Sequence, residues 1–233
     1  MFNAILLLAL VAGDDKAAEE AIERFKVSVK GAPTAARAAA ATELSRTPHE
    51  KTLTRLAGLL GSEEMPVRIA AAKGLGGFTE YKKKATPVLT GALGGCTKET
   101  VDLAVAILEA LGKLGDDSAL SAIQGRFEDK DAKVAKAALA SAGEIKKSTS
   151  IDPIIELMKK YEKVTGRDAK SRNNTNTSGV DLGIPGGGDD PQKKLASDVL
   201  PATIKALATI TGEKWTTSKE WIIWWGRHRN APK

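Results

Sequence analysis

The 233-residue sequence has a single cysteine and two histidines. One cysteine, Cys96, excludes an intrachain disulfide and a cysteine-rich metal site. Its Gly-Gly-Cys setting points to a buried, inert thiol rather than a reactive one. His49 and His228 lie far apart in the sequence, so a histidine metal centre or a Ser/His/Asp system would have to draw on these two alone. Each reads instead as a surface residue at a helix end. Aromatic residues are scarce at 4%, and three of the four tryptophans, Trp221, Trp224 and Trp225, fall within five positions. Most of the core must therefore be Ala, Leu, Ile and Val. Sustained apolar/polar alternation is missing, which argues against strands. No apolar run reaches the roughly 20 residues needed to span a bilayer.

What is present suits a soluble folded chain: 42% hydrophobic, 27% charged, with a formal net charge of +6. A collagen-like, disulfide-dense or wholly disordered chain is excluded. Phe2 to Ala12 reads FNAILLLALVA, followed at once by Asp14, Asp15 and Lys16. Its length fits a signal-peptide h-region, and Val11-Ala12-Gly13 supplies small residues for cleavage, although the n-region has no Lys or Arg. Residues 1–13 are expected to direct export to the periplasm or outside the cell. The other reading, a cytoplasmic protein whose apolar first helix packs on the end of the domain, stands beside it.

Apolar spacing of three and four recurs elsewhere, punctuated by Gly, Pro, Asp, Ser and Thr. It predicts helices over 15–30, 34–45, 49–60, 66–78, 80–93, 98–114, 117–127, 132–145, 153–164, 192–211 and 218–229. Pro66 fits a first helical turn, and Thr97 and Ser218 are candidate N-caps. Every second helix repeats a pattern. With Leu75 as reference, Leu44, Leu111 and Ala142 hold the matching site, 31, 36 and 31 residues apart. Val67 then matches Ala36, Leu103 and Val134, and Ala71 matches Ala40, Ile107 and Ala138. Helix pairs at such a period mark an α-solenoid, here an all-α superhelix of about five pairs.

The run Pro66-Val-Arg…Ala-Ala…Leu75-Gly76 resembles the second helix of a HEAT repeat. Glu63, Glu64 and Arg68 are similar to that family's inter-repeat acid/arginine ladder, with Arg37 at the corresponding site of the first copy and Ala104 and Ala135 replacing the arginine later. The resemblance covers residues 15–164 well and 192–212 loosely. It implies the architecture, with repeats over 14–212, and is almost silent about activity. Residues 165–191, rich in Gly, Asn, Asp, Ser and Thr, interrupt the pattern and read as a flexible excursion or a protein-contact loop. Asp181, Asp189 and Asp190 match no known calcium loop. Gly186-Gly187-Gly188 lacks the Lys-Ser/Thr ending of a phosphate loop. Asn173 and Asn176 are glycosylation sequons only in a eukaryotic secretory pathway.

Residues 213–233 read as a capping segment: Trp215, then Trp221, Trp224 and Trp225 at i, i+3 and i+4, cover the open end that a solenoid leaves. An exposed Trp platform for a sugar or nucleobase is the rival. Thr-Gly, an aromatic, a polar turn and Trp-x-x-Trp-Trp also resemble the tail of exported bacterial HEAT-repeat proteins.

Most cations alternate with acids along helices, the pattern of a solvated face, so nucleic-acid binding is disfavoured. The leading reading is a non-enzymatic scaffold that binds a protein on the surface lined by the second helices, through Arg37, Arg68, Lys73, Lys113, Lys136 and Lys205. No metal, cofactor or small-molecule ligand is expected. The alternatives are an anionic polymer, whether nucleic acid, glycan or lipid headgroups, or a HEAT-like lyase or glycosylase. For those enzymes the sequence offers no bilin site, and Asp102 lies far from the tryptophans.

Overall fold

The computed structural model describes residues 2–166 and 190–229, with side chains from residue 15 onward. Asn173, Asn176, Asp181, Asp189 and the glycine run 186–188 lie outside the described residues. Every regular element among those described is helical: α1 (Phe2–Val29), α2 (Thr34–Leu44), α3 (Glu50–Leu59), α4 (Met65–Leu75), α5 (Lys82–Gly94), α6 (Val101–Leu114), α7 (Leu120–Gln124), α8 (Ala132–Ile145), α9 (Ile151–Thr165), α10 (Pro191–Thr211) and α11 (Ser218–His228). The architecture is all-α, a succession of helices that ends in α11. No described helix is long and apolar enough to cross a membrane.

Two differences from the sequence expectation have local causes. The backbone of α1 is helical from Phe2 rather than Asp15, since residues 2–29 contain no proline and only one glycine to interrupt them. The helix expected over 117–127 becomes a 3₁₀ turn, Asp117–Ala119, and the five residues of α7. Apolar spacing cannot separate the two helix types, because i→i+3 and i→i+4 bonding places the same residues on nearly the same face.

Capping explains where several helices start. Asp131 Oδ1 accepts the Lys133 N–H at 2.8 Å to open α8, and Asp190 Oδ1 accepts the Gln192 N–H at 2.9 Å to open α10. For α11 the cap is Thr217 rather than Ser218. Its hydroxyl accepts the Glu220 N–H, and Glu220 Oε2 accepts the Thr217 N–H at 2.9 Å. Threonine and glutamate three residues apart form this reciprocal box, which a lone Ser cannot complete.

The chain divides into two compact units, Met1–Ile123 and Gln124–Lys233. In the first, the second helices α2, α4 and α6 pack side by side, each joined to its own first helix, α1, α3 or α5. The shared surfaces are aliphatic: Leu44, Leu56, Val67, Ala71, Leu75, Leu89, Leu103, Ile107 and Leu111 are all buried. Small residues allow close approach. A Cβ added to Gly74 would meet Ser45 Cβ of the α2 C-cap at 2.6 Å. In the second unit α8 packs on α10, α10 on α9, and α9 on α11.

Asp116, after α6, is the one fully buried carboxylate among the described residues. Burial opposes its ionisation. That cost is outweighed by the Ser118 N–H (3.1 Å), the Lys83 ammonium (3.0 Å) and the Ser118 hydroxyl (2.9 Å), all donating to Oδ1, and the carboxyl lies at about 2. The folded value is below the ~3.9 of a free aspartate, so Asp116 contributes stability that is present above about pH 4 and lost as the pH falls toward 2. Urea unfolding followed by far-UV circular dichroism should therefore show a smaller midpoint loss between pH 7 and pH 3 in Asp116→Asn than in the unaltered protein. Equal losses would dissociate Asp116 from the acid limb.

Candidate interaction surface

Ion pairs tie the first helices of the N-terminal unit to one another. Asp15 of α1 meets Lys51 of α3 at 3.0 Å and His49 Nε2 at 3.4 Å, and Glu19 meets Lys51 at 2.6 Å. Lys51 lowers the Asp15 carboxyl by hydrogen bond and charge. Next along, Glu50 of α3 pairs with Lys84 of α5 at 2.6 Å, which holds the Glu50 carboxyl below its ordinary value. Arg55 lies 5.0 Å over the Phe25 ring. His49 does sit at a helix end, but as a half-buried N-cap, with Nδ1 accepting the Lys51 N–H at 3.1 Å. Cys96 is buried beside the Ala92 carbonyl.

On the second helices the six sequence candidates separate into two groups. Arg37 and Arg68 are half-buried and committed to the fold. Arg37 Nη1 reaches Glu64 Oε2 at 3.3 Å, while the Thr34 hydroxyl donates to Glu64 Oε1 at 2.5 Å. This is a rung between α2 and the residue capping α4, the place the ladder pattern assigned it. Arg68 makes no such rung; its Nε donates to the Leu60 carbonyl at 3.0 Å and ties α4 to the end of α3. Lys73, Lys113, Lys136 and Lys205 are exposed, with no ion-pair partner among the described residues. Lys73 and Lys113 belong to the N-terminal unit, Lys136 and Lys205 to the C-terminal unit.

The repeat register carries a feature that charge-seeking missed. Ala38, Ile69 and Val105 occupy the same register site on α2, α4 and α6, and all three are half-exposed. Ala39 is exposed and Ala70 half-exposed beside them. Thr42, Lys73 and Glu109, also at one register site, flank this row and are exposed. The result is a shallow apolar row across three adjacent helices with a polar rim, the composition of a protein contact. The alignment that matched Leu44, Leu75 and Leu111 finds it by a shift of six positions.

In the C-terminal segment the four tryptophans differ. Trp221 is fully buried and donates its Nε1–H to the Trp215 carbonyl at 3.0 Å. Trp224 meets Trp221 edge-on at 5.5 Å and stacks on Trp225 at 5.9 Å and on His228 at 4.8 Å. Trp225 Nε1 donates to Asp152 Oδ1 of α9 at 2.6 Å. Trp215 is 38% exposed. Three rings thus lie in the α11 packing, and one stands at the surface.

Residues 22–108, from α1 through the middle of α6, match the family model for HEAT repeats. No curated protein matches the chain. HEAT repeats commonly mediate protein interactions, typically as non-enzymatic scaffolds. Among the described residues no cluster of three or more His, Cys, Asp or Glu is arranged to hold a metal ion.

Proposed function

We propose that the protein is a non-enzymatic scaffold that binds a protein partner on its second helices. The observation that carries this reading is the contrast between the two sides of the N-terminal unit. On the first helices, cations Lys51 and Lys84 are neutralised by partners within the fold. On the second helices, Lys73 stands beside the half-exposed row of Ala38, Ile69 and Val105, and Lys113 two turns along α6 from Val105, both without an ion-pair partner among the described residues. Unpaired charge around partly solvated aliphatic surface gives a partner both steering and a desolvated centre. Lys136 and Lys205 carry the same role on the C-terminal unit.

A photo-crosslinking residue placed at position 69 or 105 should trap a discrete partner in the native host, whereas the same residue at position 54, exposed on α3, should trap none. The double variant Lys73→Glu, Lys113→Glu should reduce the yield about tenfold or more, the loss expected from charge reversal in a contact. Equal trapping from positions 54 and 69 would overturn the assignment.

The same reading takes residues 213–233 as a cap on the last helix pair, supported by the seating of α11 on α9. It takes residues 1–13 as an export signal, supported by the apolar run before Asp14-Asp15-Lys16. Recovery of a mature N-terminus near Gly13 would support export, and an intact Met1 would reject it.

A further inference from the structure

The net charge is not shared between the units. Residues 1–123 carry 15 basic and 15 acidic residues, and residues 124–233 carry 20 and 14, so the whole excess lies in the C-terminal unit. Use of that charge differs too. In the N-terminal unit Lys16, Arg24, Lys26, Arg37, Arg46, Lys51, Lys83, Lys84 and Lys98 all stand within ion-pair distance of an acid. In the C-terminal segment Lys214, Lys219, Arg227 and Arg229 are exposed with no partner among the described residues.

Helix α11 concentrates this contrast. Its inward side is fixed by Trp221 and by the Trp225–Asp152 bond. Its outward side carries Lys219, Ile223 and Arg227 at i, i+4 and i+8, one line along the helix. Ile223 is 45% exposed, and with Trp215 and Val27 it completes the large exposed hydrophobics among the described residues. The acid on this helix, Glu220, is turned back to its N-terminus: hydrogen bonds from the Thr217 hydroxyl and N–H lower its carboxyl and hold it at the cap. Trp215 is held at the surface by its own backbone, whose carbonyl receives the Trp221 Nε1–H. An aliphatic side chain between two cations, with an exposed indole in the segment that leads into the helix, is the make-up of a helix lying at a membrane interface: the apolar groups enter the headgroup boundary and the cations meet anionic phosphates.

The structure assigns the line Lys219, Ile223 and Arg227, together with Trp215 of the preceding segment, as a docking surface for a bilayer rich in anionic lipid. The unit lies on the bilayer rather than crossing it, in keeping with the absence of a spanning helix among the described residues. The assignment is independent of the second-helix surface: losing one leaves the other in place.

The test uses the full chain with vesicles of phosphatidylcholine containing phosphatidylglycerol, against phosphatidylcholine alone. Co-sedimentation should favour the anionic vesicles by about tenfold or more and fall as salt rises. Tryptophan emission should shift to the blue on binding, and Trp215→Phe should diminish that shift while preserving the backbone carbonyl that serves Trp221. Lys219→Glu with Arg227→Glu should abolish binding with the thermal transition unchanged, because both side chains are exposed, and Ile223→Asp should weaken binding several-fold at a temperature where the variant remains folded. Equal binding to both vesicle types would overturn the proposal. So would binding to a soluble polyanion such as polyglutamate or heparin that matches the anionic vesicles and is indifferent to Ile223→Asp, since that result would mark a site for an acidic polymer.

Discussion

Replacing Trp221 by alanine is expected to destabilise the C-terminal unit by about 3–5 kcal/mol, the cost of removing a large buried ring from a packed site. Trp221 is completely buried, and its edge-on partner Trp224 loses the surface against which it stands. The lost Nε1–H bond adds little, because the Trp215 carbonyl lies in a surface segment where water can take the place of the donor. The greater loss falls on α9. Its buried stripe of Ile151, Ile154, Ile155, Leu157, Met158 and Tyr161 forms the apolar side on which α10 and α11 rest. All four tryptophans lie between positions 215 and 225, so intrinsic fluorescence reports this unit alone, and the three remaining in the variant keep the probe usable. The urea midpoint read by fluorescence should drop sharply. Trp225→Phe, which removes only the bond to Asp152 from a partly exposed ring, should cost about 1 kcal/mol. A Trp221→Ala variant within 1 kcal/mol of the unaltered protein would mean that α11 is an appendage, and the capping role would fall with it.

Much of this was legible in the sequence because small-residue spacing and helix stacking are the same fact seen twice. The register that set Leu44, Leu75 and Leu111 in line also sets Ser45, Gly76 and Gly112 in line, and the expected span of α8, 132–145, is the observed one. The roles of the arginines were less visible, although the spacing held the answer. Arg37 and Arg68 each precede a buried leucine, Leu44 and Leu75, by seven residues, nearly two full turns, so they fall on the buried side. Lys73 stands two residues from Leu75, about 200° away, and faces water. Charge type had suggested one group, while helical angle separates them into two. The 3₁₀ turns that open α5, α6, α7 and α9, at 79–81, 98–100, 117–119 and 148–150, left no such trace. Nor did the partner of Trp225: Asp152 lies 73 residues away, and only the packing of α11 on α9 brings them together.

Gly76→Val is expected to cost the N-terminal unit upward of about 1–3 kcal/mol, at or beyond the upper range for overpacking, because the obstruction is backbone. A Cβ at Gly76 would lie 2.9 Å from Ala110 Cα and 3.0 Å from Ala110 Cβ. Ala110 belongs to the middle of α6, so the contact is relieved only if α4 and α6 move apart. The backbone at Gly76 is right-handed, φ −63°, and any residue adopts that conformation; the glycine is required by the neighbour, not by the chain. Gly77→Val is the matched control, since its nearest atom, the Gly74 carbonyl oxygen, lies at 3.4 Å and the site is exposed. Far-UV circular dichroism should show an earlier loss of helix in the position-76 variant, while the tryptophan transition, confined to residues 215–225, stays in place. Parting α4 from α6 also breaks the line from Ile69 to Val105, so crosslinking from those positions should fall with stability. If crosslinking survives unchanged in a measurably destabilised Gly76→Val protein, the partner does not read the two helices as one surface, and each second helix must be recognised separately.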